Sequence, residues 1–191
     1  VENGFSINPC YINLLMIHNP CNLSGIMLKL SGMFHDGAVF QRRTAIPVWG
    51  QADPDAVIRA AFADTEAMTQ AGADGRFLLH FPACEAGGPY ELVLEAGPER
   101  VTLRDVYVGE VWLAGGQSNM EFHLGDDADH PEWDYSNPAL RFYRIPMAAR
   151  VGGTSEAAGR WEYAEPDRIK NFSAVAFHFA RRIQESLGIA V

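Results

Sequence analysis

Gly109-Glu110-Val111-Trp112-Leu113-Ala114-Gly115-Gly116-Gln117-Ser118-Asn119-Met120 is the stretch at which the hydrophobic pattern of the chain changes. Val111-Trp112-Leu113-Ala114 is a continuous apolar run without alternation, as expected of a strand buried on both faces of an α/β sheet, and Gly115-Gly116 ends it. A serine just past such a strand would hold its hydroxyl at the carboxyl edge of the sheet. Small residues before it let the backbone turn sharply and leave amide N–H groups free to face a developing oxyanion. Ser118 is therefore the candidate nucleophile.

The string is not a Gly-x-Ser-x-Gly elbow, because Met120 stands in place of the second glycine. Taken alone, it leaves a structural serine at a strand end as an equal reading.

Upstream, from Met33 to about Val108, short segments with a two-residue period alternate with turn chemistry, the signature of an all-β sandwich. In residues 56–62, Ile58, Ala60 and Phe62 share a face; in 76–81, Phe77, Leu79 and Phe81 do; in 90–94, Tyr90, Leu92 and Leu94 do. Asp74-Gly75 supplies a tight reversal and Gly87-Gly88-Pro89 punctuates the approach to the third segment, which together argue for antiparallel connections.

Downstream, residues 141–145 read as another strand. Phe172, Val175, Ala176, Phe179, Ala180, Ile183 and Leu187 mark one face of a helix that Gly188 terminates. Residues 189–191 look like the opening of a further strand. Residues 126–138 and 152–159 read as surface loops.

The composition sets outer limits. The 191 residues carry a formal charge of −9, which repels phosphate backbones and anionic lipid surfaces, so nucleic acid is not the expected partner. The apolar stretch 11–17 is too short to span a bilayer. Cys10, Cys21 and Cys84 are odd in number and lack metal spacing; unpaired thiols are the simpler reading, with a Cys10–Cys21 bridge left open. Residues 1–26 differ in composition from the rest of the chain, lack a secretory signal, and are expected to be an extension of unknown origin without a role in function. A cytoplasmic location is the resulting expectation, with a secreted or periplasmic one as its alternative.

Asp105-Val106-Tyr107-Val108-Gly109-Glu110-Val111-Trp112-Leu113-Ala114-Gly115-Gly116-Gln117-Ser118-Asn119-Met120-Glu121 closely resembles the nucleophile block of the sialate O-acetylesterase family, SGNH-type hydrolases whose serine, glycine, asparagine and histidine lie in separate blocks. Asp36-Gly37-Ala38-Val39-Phe40-Gln41-Arg42 and Pro47-Val48-Trp49-Gly50 look like the family's opening. Asp74-Gly75-Arg76-Phe77 and Ala86-Gly87-Gly88-Pro89-Tyr90 resemble its β-domain landmarks, and Phe172-Ser173-Ala174-Val175-Ala176-Phe177 is similar to the helix after the nucleophile region. The resemblance covers about residues 28–191.

It implies a β-sandwich over 27–108, followed over 109–191 by the first part of a flavodoxin-like SGNH hydrolase domain. It also implies hydrolysis of acetyl esters on sugar hydroxyls through an acetyl-enzyme, with no metal or organic cofactor. Ser118 would be the nucleophile and its own backbone N–H an oxyanion donor, with Gly116, Gln117 and Asn119 shaping the turn. The family's oxyanion glycine and the Asp-x-x-His block that supplies the base come later than Val191. The chain therefore reads as the front part of a longer enzyme, nearly inactive alone because a serine hydroxyl needs a general base within hydrogen-bond reach. A missing carboxyl-terminal portion or a companion chain would complete the site, and until then Val111 to Leu113 and one helix face would stay unburied.

The histidines present are weaker candidates for that base. His123 is too close to Ser118 along the chain to reach it easily. His130, in Asp127-Ala128-Asp129-His130-Pro131, has the look of an Asp-x-x-His-Pro block in the wrong place. His178 falls on the polar face of the helix, and His35 and His80 belong to the β-region. Trp49 and Trp112 are expected in the core. Trp133, with Glu132 and Tyr135, is a candidate platform for stacking on a sugar ring. A different class of function, a non-catalytic carbohydrate-binding or accessory module with Ser118 inert, is the alternative.

Overall fold

The computed structural model describes residues 27–128, 134–145 and 159–191. Its strands, in chain order, are β1 (Leu28–Leu30), β2 (Val39–Gln41), β3 (Ile46–Ala52), β4 (Val57–Phe62), β5 (Thr65–Gln70), β6 (Arg76–Phe81), β7 (Gly87–Ala96), β8 (Glu99–Gly109), β9 (Asn137–Tyr143) and β10 (Trp161–Ala164). The helices are α1 (Ser118–Glu121), α2 (Pro166–Ile169) and α3 (Ala174–Leu187), with a 3-10 turn at Leu124–Asp126.

Alternation builds the β-region. In β4 and β6 every second residue is buried, so Ile58, Ala60 and Phe62 from one strand face Phe77, Leu79 and Phe81 from the other across a shared apolar core. Each such Ile, Leu or Phe side chain contributes roughly 1.5–3 kcal/mol by leaving water. The smaller sheet has the order β1-β3-β6 and the larger β2-β8-β7-β4-β5. The edge strand β5 lies against β6, curling the larger sheet toward the smaller. Pairing is antiparallel as expected, except that β2 runs parallel to β8.

The Asp74-Gly75 reversal is a true turn. Gly75 has φ +76°, Asp74 Oδ1 accepts from the Arg76 N–H at 3.1 Å, and a Cβ on Gly75 would collide with the Ala52 carbonyl. Gly87-Gly88-Pro89, expected before its strand, instead forms the opening of β7, where the register shifts.

A second apolar core gathers Leu124, Leu140, Phe142, Ala164, Ile169, Ala174, Phe177 and Val191. Here β9 pairs with β10, ending at Tyr143 rather than at 145. Helix α3 starts at Ser173, whose Oγ accepts from the Ala176 N–H, and ends at Gly188 with φ +66°. The buried face of α3 is rotated from the expected stripe: of the stripe residues only Ala176 is buried and Val175, Phe179 and Leu187 are exposed, while Ala174 and Phe177, outside the stripe, are buried instead.

The strand expected at Val111 to Ala114 is absent, whereas the exposure expected of Val111 to Leu113 in this chain alone is observed. Residues 110–117 form no strand, and Val111, Trp112 and Leu113 are 42%, 57% and 88% exposed. A continuous apolar run is buried only if strands and layers cover it, and among the described residues β2 and α3 meet it only at the Val111 N–H and the Trp112 ring. For the same reason no flavodoxin-like sheet is formed among the described residues. Residues 189–191 are not a strand either, but Val191 donates its N–H to the Ala139 carbonyl at 2.9 Å and accepts from the Arg141 N–H at 2.8 Å. That is the bond pattern of a parallel bridge. On the other side, Ala190 O accepts from the Glu110 N–H at 2.9 Å.

Candidate functional site

Ser118 opens α1, nine residues after β8 ends, and it is exposed. Its setting is thus a solvent-facing helical turn, not the rim of a formed sheet. Gln117 stands at the N-cap, and its carbonyl accepts from the Met120 and Glu121 N–H groups at 2.9 and 3.1 Å. The N–H groups of Ser118 and Asn119 begin the turn and so have no intrahelical partner. Gly116 lies against Met120, where an added Cβ would come within 3.1 Å of the Met120 Cβ; Gly115 faces open space.

Beyond the turn, α1 is tied to the start of α3. Phe122 O accepts from the Ala174 N–H at 2.9 Å, and the Ser173 hydroxyl lies 3.3 Å from the Met120 sulfur. Before it, Glu110 is held by the β-region. Arg42 Nε donates to Glu110 Oε1 at 2.6 Å, and Gln41 Oε1 accepts from the Val111 N–H at 2.8 Å. The Arg42 hydrogen bond holds the Glu110 carboxyl below the usual carboxylate range, against an opposing push from partial burial and with further help from Gln41.

Among the described residues no side chain hydrogen-bonds to the Ser118 hydroxyl. His123 makes a backbone bridge with Ser173, and its ring lies 4.0 Å from Asp126. His178 is on the exposed side of α3 as expected, with its Nε2 3.3 Å from Asp127 Oδ2, a partner that the helical pattern alone does not reveal. His35 is structural: Nε2 accepts from the Trp161 N–H at 2.8 Å, so Nδ1 carries the proton and donates to the Asp36 carbonyl. His80 is exposed on β6. His130 lies outside the described residues, as do Trp133 and Glu132.

Tyr135 is no open platform, because its ring meets Phe177 edge-on at 5.3 Å and carries the Arg181 guanidinium at 5.1 Å. Neither tryptophan expected in the core is fully there. Trp112 projects outward with its ring edge-to-face against Phe179 at 5.2 Å, and Trp49 is 37% exposed against Phe34.

A half-open cavity of about 210 Å³, lined by Phe142, Arg144, Glu162, Asp167, Arg168, Asn171 and Phe172, does not include Ser118. Among the described residues no group of three or more His, Cys, Asp or Glu is placed to hold a metal ion, and no helix is long and apolar enough to cross a membrane.

Sequence reasoning missed Arg141, whose side chain is 2% exposed and joins β9 to β8 and the β1–β2 loop. It also missed the grip of Gln41 and Arg42 on Glu110. Partners 68 to 70 residues apart leave no local signal.

Comparison with protein-family models and with curated proteins gives no match. Among solved structures, the chain is similar to a carbohydrate acetylesterase from Xanthomonas citri, with 36% sequence identity and a TM-score of 0.82. The match covers 85% of this chain and 38% of that one, so this chain spans well under half the length of the enzyme it resembles. Its fold is shared with part of a carbohydrate acetylesterase.

Proposed function

We propose that the chain is the front part of a carbohydrate esterase that removes O-acetyl groups from sugars, of the sialate O-acetylesterase kind, with Ser118 as the nucleophile. The observation that carries this reading is the 36% identity to a carbohydrate acetylesterase over 85% of the chain. The exposed position of Ser118 on the first turn of α1 supports its role.

In the proposed reaction the Ser118 oxygen attacks the acetyl carbon while a base takes its proton. The Ser118 N–H donates to the oxyanion, the sugar hydroxyl leaves with a proton, and water then releases acetate from the acetyl-enzyme. Residues 27–108 would serve as a β-domain and 109–191 as the first part of an SGNH hydrolase domain. The exposed Val111, Trp112, Leu113 and Phe179 favour a later portion of the protein, or a companion chain, that covers them and brings the base.

One observation favours the second reading, a non-catalytic carbohydrate-binding or accessory module: among the described residues nothing activates the Ser118 hydroxyl. A fluorophosphonate probe separates the two in the intact protein. Covalent modification at Ser118, located by peptide mass, supports the esterase; a protein that stays unmodified after prolonged exposure supports the module.

A further inference from the structure

We propose that Gln41, Arg42 and Glu110 act together as a clamp that fixes the path of the chain into Ser118, and so are positioning residues for its hydroxyl; their part in catalysis rests on the reading of Ser118 as nucleophile.

The segment after Gly109 belongs to no strand, and among the described residues no hydrogen bond holds residues 112–116. The residues just before it are held firmly. The Arg42 N–H donates to the Gly109 carbonyl at 2.8 Å, Arg42 Nε donates to Glu110 Oε1 at 2.6 Å, and the two side chains are only 16% and 19% exposed. A charge-assisted bond that is largely shielded from water is among the stronger polar contacts available to a protein.

Gln41 supplies the last grip. Its Oε1 accepts from the Val111 N–H at 2.8 Å, while its Nε2 donates to Glu110 Oε2 at 3.4 Å and to the Arg42 carbonyl at 3.3 Å. Only this orientation of the amide satisfies all three partners, since a flip would set its NH2 against an N–H and its oxygen against a carboxylate. Glu110 is therefore oriented by two side chains of the β-region, and Val111 leaves it in a set direction. Apart from the Trp112 ring against Phe179, the next ties to another element come past Ser118, where Met120 Sδ accepts from the Ser173 hydroxyl and Phe122 O accepts from the Ala174 N–H. Ser118 is carried between these two anchors.

The test compares wild type, Gln41→Met and Gln41→Glu. Gln41→Met removes the acceptor for Val111. Gln41→Glu keeps an acceptor oxygen there but turns a carboxylate toward Glu110. Amide hydrogen exchange is followed at Val111, with Val48 and Leu79 of the paired β3 and β6 as internal reference. A clamp predicts that Val111 exchanges on the order of tenfold faster in Gln41→Met, less so in Gln41→Glu, with the reference amides unchanged. Unchanged Val111 exchange, or equal acceleration of the reference amides, would overturn it.

A second readout is fluorophosphonate labelling at Ser118 in the intact protein, expected to slow about tenfold in Gln41→Met. Equal labelling of wild type and variant overturns the positioning role. If the wild type is never labelled, the esterase reading falls, and the exchange result still decides the clamp.

Discussion

The guanidinium of Arg141 grips the carboxylate of Asp105 with both arms, Nη1 to Oδ2 at 2.8 Å and Nη2 to Oδ1 at 3.1 Å, although the arginine side chain is 2% exposed and the aspartate 50%. The same guanidinium donates to the carbonyls of Pro138, Gly37 and Asp105 and lies 4.3 Å over the Tyr107 ring. Asp105 is presented by a bulge. It has φ +58°, and between Leu103 and Val106 β8 spends one residue more than its partner β7.

The asymmetry in burial reverses the intuitive order of damage. Asp105→Asn keeps a residue that tolerates the left-handed backbone but strands a buried cation, and is expected to cost about 3–5 kcal/mol. Arg141→Met lets Asp105 return to water and fills the space with an apolar chain, and is expected to cost about 1–3 kcal/mol. Urea unfolding of both variants checks the order, provided the slopes with denaturant match.

The acid limb of stability depends on Glu110. Its folded-state carboxyl sits below the unfolded value because Arg42 hydrogen-bonds the charged form. The contribution of the pair is therefore complete above the ordinary glutamate range, about pH 4.3, and is lost as pH falls through the lower folded-state value. Glu110→Gln should be less stable than wild type at pH 7, and the gap should narrow as pH is lowered below that range. Denaturant titrations at stepped pH would reveal it; a gap independent of pH contradicts the assignment.

Close approach makes Gly109 sensitive. A Cβ there would run into the Ala190 carbonyl, which accepts from the Glu110 N–H at 2.9 Å. Gly109→Ala is expected to push residues 190–191 away from Glu110, speeding amide exchange at Glu110 while β4 and β6 keep their protection. Equal protection of Glu110 in both proteins would count against the contact.

Core and surface should separate cleanly in the β-region. Phe62 is 1% exposed and its ring meets Phe40, Phe81 and Tyr90 at 5.3, 5.6 and 5.5 Å, so Phe62→Ala should cost about 3–5 kcal/mol. Met68 is 64% exposed, and Met68→Ala should stay within about 0.5 kcal/mol of wild type by thermal or chemical unfolding.

Strands with clean alternation, β4 and β6, are legible in the sequence to within a residue, because a two-residue period with one wet face needs no knowledge of partners. β8 is hidden by its bulge. Leu103 is buried and so are Val106 and Val108, a change of phase at Asp105 that breaks the period. Helix α3 is legible through its apolar spacing and its Gly188 end, but which face is covered depends on what packs against Val175 and Phe179. Val111 to Leu113 are misplaced for a related reason: an apolar run states a need for burial, and only neighbouring elements meet it. Ser118 is singled out by local chemistry, whereas the Gln41–Arg42–Glu110 contacts and the Arg141 bolt depend on distant pairing that no short motif encodes.

Acetate release from an O-acetylated sugar by the intact protein, compared between wild type and Ser118→Ala, tests the central claim most directly. The account predicts release by the wild type and a loss on the order of a thousandfold or more in the variant, with its thermal unfolding unchanged. Wild-type rates in Ser118→Ala would contradict it.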